Sequence, residues 1–299
     1  MKNLLIICCL SAALACATAT AETPLQLASL DKGDRPAAST GTDIWKALKP
    51  GKLKLRSAAA LVVDEAGNEV YAKQANDPMP IASITKLMAA MVILDGDLPM
   101  DEKITIAKAD RDLIQLTGSR LEYSAKLTRG ELLQLALMAS ENRAANALAR
   151  SWPGGRKAFI VAMNHKAQSL DMQDSHFSDP AGLDAGNVAS ARDLVKMVRA
   201  AMDYPFIRKA TTTRSISVRP YRGRGELRYV NTNRLLKNEA WEIQLSKTGY
   251  LNEAGRCLAM QAEIIDRPLV IVLLNSYGKL TPFGDSNRIR KWIEGGIGS

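Results

Sequence analysis

Three short patterns in this chain combine residue types that do nucleophilic chemistry. Ser83-Ile84-Thr85-Lys86 places a hydroxyl three residues before an amine. On a helix, residues i and i+3 share a face, so Lys86 Nζ can reach Ser83 Oγ. A serine needs a base to become a nucleophile. A free lysine is protonated at neutral pH, and burial or a nearby second cation would depress its pKa. Lys247-Thr248-Gly249 supplies a candidate second cation, and Ser140-Glu141-Asn142 a second hydroxyl and an amide. Two further S-x-x-K tetrads occur, Ser29…Lys32 and Ser276…Lys279. The first lies in a polar stretch and the second reads as a turn before the last helix. Only Ser83 opens an apolar helix, whose N-terminus favours negative charge developing at the serine.

The elements that must position these groups follow from hydrophobic pattern. Ser57–Asp64 and Glu69–Tyr71, separated by the turn-rich Glu65-Ala66-Gly67-Asn68, predict a hairpin. Residues 83–95 are apolar nearly all round and predict a buried helix. Thr128–Arg150 reads as one helical stretch, opened by the capping box of Thr128 and Glu131. Arg156–Leu170 and Ser190–Met202 are further helices. Strands are expected at Ser215–Val218, Leu227–Val230, Ile243–Leu245, Arg256–Ile265 and Leu269–Leu274, with a closing helix over Ser286–Ile293. This order places S-x-N on a helix and K-T-G at a strand end. It predicts an α+β fold in which one antiparallel sheet joins the first and last thirds, with an all-helical subdomain inserted at roughly residues 100–200.

Composition bounds the setting. The chain has 299 residues, 46% hydrophobic and 24% charged, which excludes disorder and collagen-like structure. Net charge is +9. Lys2, the apolar run Leu4–Ala15 and Ala19-Thr20-Ala21 read as a signal peptide over residues 1–21, giving a soluble, exported, periplasmic product. Lipoprotein processing at Cys16 is the other option for this leader. Residues 22–48 read as a polar arm, and 49–299 as the functional domain. Cleavage would leave Cys257 as the one cysteine, so no intrachain disulfide is expected. With only His165 and His176, no metal site is expected. No membrane span is expected after the leader. Residues 208–237 hold nine basic residues against Glu226, which reads as a solvated hairpin or a patch that attracts anionic wall polymers. Nucleic acid is excluded as a partner by export.

S-x-x-K, S-x-N and K-T-G in this order are the signature of penicillin-binding proteins and β-lactamases. The surrounding Pro80–Met88, Leu137–Ala145, Pro153-Gly154-Gly155, Asp179–Leu183, Arg192-Asp193-Leu194 and Leu245–Tyr250 extend the likeness over roughly residues 50–299. The chain resembles the D-alanyl-D-alanine peptidases among the low-molecular-mass penicillin-binding proteins, and within them the endopeptidases. That resemblance implies the β-lactamase and transpeptidase fold, peptidoglycan stem peptides as substrate, β-lactams as covalent inhibitors and no cofactor. It implies Ser83 as nucleophile, Lys86 as general base and Ser140 as proton carrier to the departing amine. Asn142 would hold the substrate amide. Lys247 and Thr248 would hold the carboxylate beside the scissile bond. Gly249 would let substrate lie along the strand edge, and the Ser83 and Tyr250 backbone N–H groups would form the oxyanion hole.

Endopeptidase action on D-Ala-diaminopimelate cross-links is the first expectation, and carboxypeptidase action on terminal D-Ala-D-Ala the alternative. Both substrates present a carboxylate beside the scissile bond. A β-lactamase or a non-catalytic wall-binding protein are further alternatives. The class A enzymes' water-activating glutamate has no E-x-x-x-N counterpart between Asn142 and Lys247. The purified protein should therefore form a long-lived penicilloyl adduct, observable by intact mass. Rapid multiple-turnover hydrolysis of penicillin would contradict this.

Overall fold

The computed structural model describes residues 44–297. The expected leader, the Cys16 option and most of the polar arm lie outside the described residues. The central sheet contains β1 (Ser57–Asp64), β2 (Glu69–Lys73), β9 (Glu242–Leu251), β10 (Gly255–Ile264) and β11 (Arg267–Ser276). Their order is β2-β1-β11-β10-β9, antiparallel throughout. The first and last thirds thus share one sheet, as the element order predicts. Three two-stranded pairs surround it: β3 (Met79–Pro80) with β6 (Val188–Ala189), β4 (Lys103–Thr105) with β5 (Lys126–Thr128), and β7 (Ser215–Val218) with β8 (Leu227–Val230). The last pair is the hairpin expected in the basic segment. It carries the exposed Arg219–Glu226 ion pair.

The helices are α1 (Thr85–Asp95), α2 (Arg129–Met138), α3 (Asn142–Arg150), α4 (Gly155–Ser169), α5 (Ala191–Met202), α6 (Pro205–Thr212) and α7 (Thr281–Ile297). Every residue of α1 from Thr85 to Ile93 is buried, because the helix runs through the larger of two cores. Side-chain alternation along β1 divides those cores. Ala59, Leu61 and Val63 face the core around α1, while Ala60 and Val62 face the core shared with Ile289 and Ile293 of α7. Trp45 and Leu48, at the end of the expected arm, pack in this second core. Trp45 Nε1 donates to Asp64 Oδ2 at 2.6 Å. The chain therefore enters the fold several residues earlier than its polar composition suggests.

Three expectations need revision. The subdomain at roughly residues 100–200 is not all helical, because it also carries β4, β5 and β6. Thr128–Arg150 is two helices, broken at Ala139–Glu141, with Ser140 at φ +58°. Helix propensity is continuous across the break, but the left-handed turn lets the Ser140 hydroxyl meet a lysine on the sheet. K-T-G lies inside β9 rather than at its end, because β9 extends to Leu251 through pairing with β10.

Ser276, from the third S-x-x-K tetrad, has a structural position. It is buried with its Oγ 2.7 Å from Ser57 Oγ. Ser57 Oγ donates to Asp285 Oδ2 at 2.6 Å, and the Ser57 backbone N–H donates to the same oxygen at 2.7 Å. Arg56 N–H adds a bond of 3.0 Å and Arg288 an ion pair at 2.6 Å. Asp285 thus ties the start of β1 and the end of β11 to α7. Asp285→Asn puts an amide donor against these donors. It should cost about 2–3 kcal/mol in urea unfolding, with the catalytic centre still able to react.

Candidate active site

The segment before α1 is a 3₁₀ turn, Ala82–Ile84, running directly into the helix. It sets Ser83 half-exposed at the mouth of a cleft while Lys86, one turn on, is 1% exposed. Ala82 adopts φ +48°, an uncommon conformation for a residue with a Cβ, immediately before the serine. Two glycines make room for it. A Cβ on Gly182 would lie 1.9 Å from the Ala82 carbonyl oxygen. A Cβ on Gly249 would lie 2.7 Å from the Ile81 carbonyl oxygen and 3.1 Å from the Ser83 nitrogen. Gly249 therefore lets β9 press against the backbone of the serine turn, a role additional to the substrate clearance expected from sequence.

Lys86 Nζ is 2.8 Å from Ser83 Oγ, 2.7 Å from Asn142 Oδ1 and 2.6 Å from the Ala181 carbonyl oxygen. The last two partners can only accept. A neutral amine has two hydrogens and one lone pair, so it donates to those two and accepts from the Ser83 hydroxyl. This is the geometry of a base in contact with its nucleophile. Burial pushes the Lys86 pKa down to about 8, partly offset by the Asp179, Glu141 and Asp112 carboxylates.

Lys247 Nζ donates to Ser140 Oγ at 3.0 Å and to the Thr248 carbonyl at 2.8 Å. Burial, then repulsion from Lys86, holds Lys247 well below the usual lysine range. The carboxylates partly offset burial at Lys86, whereas burial and Lys86 both lower Lys247. Burial rather than a second cation is the leading cause of the low Lys86 pKa, which refines the expectation from sequence.

The remaining predicted residues converge on the same place. Thr248, Gly249 and Tyr250 line one cleft of about 810 Å³ with Ser83, Ser140 and Asn142. β9 is an edge strand, so alternate backbone groups along it lack a strand partner and face outward. Tyr250 is half-exposed, with the Arg256 guanidinium 3.5 Å from its ring centroid. Thr248 Oγ1 is 2.7 Å from Thr232 Oγ1.

Sequence reading missed three contributors, Thr232, Asp112 and Thr117, and assigned no role to Asp179, which it noted only within a family-like segment. The Asp179 carboxylate accepts the backbone N–H groups of Ala181, Gly182, Leu183 and Asp184 at 2.7–2.9 Å. That tight turn aims the Ala181 carbonyl at Lys86. Asp-Pro-Ala-Gly is a turn signal, but what the turn presents is invisible locally. Among the described residues, no three His, Cys, Asp or Glu side chains are grouped to hold a metal ion, and no helix is long and apolar enough to cross a membrane.

An antiparallel sheet with helices on both faces, carrying a serine–lysine pair at the start of a buried helix, defines the serine-peptidase class that includes the penicillin-binding proteins. The family described as D-alanyl-D-alanine carboxypeptidase matches residues 46–278, and the chain belongs to it. The chain is 43% identical over 252 residues to the D-alanyl-D-alanine endopeptidase of Pseudomonas aeruginosa, covering 84% of this chain and 81% of that protein. It is also 43% identical to the D-alanyl-D-alanine endopeptidase of Escherichia coli, covering 81% and 79%. Among solved structures, the Streptomyces K15 DD-transpeptidase superposes with a TM-score of 0.75 at 26% identity, over 81% of this chain and 98% of that one.

The sign of the pH dependence follows from Lys86. Its reactive neutral form increases as pH rises through about 8. Acylation by a β-lactam should rise roughly tenfold per unit on the acid side and level off above that value. Lys86→Arg, which stays charged, should slow acylation by about 10²–10⁴-fold, measured by stopped flow.

Proposed function

We propose that this protein is a serine DD-peptidase of peptidoglycan that cleaves D-Ala-diaminopimelate cross-links between stem peptides. The observation that carries this reading is the 2.8 Å contact between Lys86 Nζ and Ser83 Oγ, in which burial lowers the pKa of the amine itself. In the proposed reaction, Lys86 takes the Ser83 hydroxyl proton as Oγ bonds to the D-alanyl carbonyl carbon. The carbonyl electron pair moves onto oxygen, facing the Ser83 and Tyr250 backbone N–H groups. Oriented donors of this kind are worth about 3–4 kcal/mol each. Collapse breaks the C–N bond. Ser140 passes a proton to the leaving amine and is re-protonated from the lysine pair. Water then hydrolyses the Ser83 ester along the reverse proton path.

Asn142 offers a free amide hydrogen to the substrate. Lys247 and Thr248 hold the carboxylate next to the scissile bond. An incoming carboxylate favours the ammonium form of Lys247, so substrate binding supplies the charge that the free site disfavours. A β-lactam follows the same first step, but its amine remains tethered after ring opening and blocks the approach of water. The mature protein is proposed to act in the periplasm after removal of residues 1–21, as one domain over residues 49–299 with its helical subdomain near 100–200, joined by Trp45 and Leu48 of the preceding arm, which pack into its second core.

Two observations favour the endopeptidase over the carboxypeptidase. The relatives at 43% identity carry the endopeptidase name. The cleft also continues past Tyr250 to Arg256, Lys279 and Phe283, which leaves room for a second stem beyond the scissile bond. The discriminating experiment offers the purified protein a cross-linked dimer and a monomeric pentapeptide together. Product masses should show dimer converted to monomers with the pentapeptide largely intact. Loss of one alanine from the pentapeptide, with the dimer untouched, would assign the carboxypeptidase instead. Ser83→Ala should abolish both reactions and covalent labelling by a fluorescent penicillin.

A further inference from the structure

The side chain of Asn142 has to face one way. Its Oδ1 accepts from Lys86, which leaves the Lys86 lone pair for the Ser83 hydroxyl. A flipped amide would turn its NH₂ group on Lys86. That group would donate to the same lone pair and compete with Ser83, or repel an ammonium. Nothing within the S-x-N motif itself decides between the two orientations.

The loop between β4 and β5 does. Thr117 Oγ1 is 2.9 Å from Asn142 Nδ2 and 2.7 Å from Asp112 Oδ2. A carboxylate only accepts, so the Thr117 hydroxyl must spend its one hydrogen on Asp112. Its oxygen can then only accept from Asn142, which requires nitrogen on that side of the amide. Asp112 is itself buried and held by the backbone N–H groups of Ile114, Gln115 and Thr117 at 2.9–3.0 Å. These bonds place its pKa below the usual carboxylate range despite the opposing effect of burial, so it stays an acceptor.

We infer that Asp112 and Thr117 are positioning residues that fix the Asn142 amide with its oxygen toward Lys86, through the one-directional chain Asp112–Thr117–Asn142–Lys86–Ser83. The inference rests on the serine-peptidase reading above. Each bond in the chain polarises the next, so the orientation signal starts at a buried charge and ends at the base. The second Nδ2 hydrogen stays available to a substrate carbonyl.

The test is the rate of Ser83 acylation by a fluorescent penicillin, across pH, in the full mature protein. Thr117→Val keeps the shape and removes both bonds, and Thr117→Ser keeps them. Thr117 is exposed, so neither change should disturb folding; thermal melting checks this. Thr117→Val should slow acylation about tenfold, the effect of one lost hydrogen bond. It should also move the acid limb to lower pH, because a flipped amide disfavours the Lys86 ammonium. Asp179, Glu141 and Lys247, the other charged groups around Lys86, are untouched by this substitution. Thr117→Ser should stay within about threefold of wild type on both measures. Asp112→Asn should weaken acylation like Thr117→Val. The inference is overturned if Thr117→Val acylates at the wild-type rate, if its rate falls with the pH limb unmoved, or if Thr117→Ser loses as much as Thr117→Val. Failure of the wild type to label at all would instead defeat the peptidase reading itself.

Discussion

The structure turns on the burial of an amine. Lys86 sits in the first turn of a helix whose neighbours are almost all apolar, and an uncompensated ammonium there would be prohibitively expensive. The fold meets this cost with two acceptors that cannot donate, Asn142 Oδ1 and the Ala181 carbonyl, and with Ser83 as the third partner. The same burial that threatens stability brings the amine close to neutrality, which is the property a general base needs. Stability and reactivity are therefore opposed at this residue, and the surrounding carboxylates set the balance between them.

Most of the local architecture reads as a means of delivering those acceptors. Asp179 gathers successive backbone N–H groups into a turn whose outward product is a single carbonyl. The break between α2 and α3 turns Ser140 toward Lys247 and starts α3 at Asn142. Gly182 and Gly249 bring backbone from two sides against the strained Ala82–Ser83 turn. Because packed interiors do not deform continuously, that clamping holds the serine in one place relative to the lysine.

The sheet supplies the rigid frame on which this depends. β1 and β11 are buried on both faces, and the Asp285 cluster joins the start of β1 and the end of β11 to α7. β9 is the edge strand; it carries Thr248, Gly249 and Tyr250 into the cleft and Lys247, buried behind it, onto Ser140. An extended peptide and an edge strand are complementary in their backbone groups, so in the proposed function the edge is the docking surface as well as the frame.

Much of this was legible in sequence because it is local. The i, i+3 spacing of Ser83 and Lys86 on an apolar helix already implied their contact, and the strands Ser57–Asp64, Ser215–Val218 and Leu227–Val230 lie where alternation and turn residues placed them. Residue types named a nucleophile, a base, a second hydroxyl and a second cation, and the family resemblance implied that the second cation binds a carboxylate. The left-handed Ser140 was not legible, since helix-favouring residues run on both sides of it and only a lysine more than a hundred positions away explains the turn. Asp112 and Thr117 were equally hidden, because an aspartate and a threonine in a polar loop have no periodicity to announce a role. Sequence by itself determined the chemistry and the elements that carry it. Tertiary structure decided which way each polar group points, because hydrogen-bond direction is set by partners that meet only when the chain has folded.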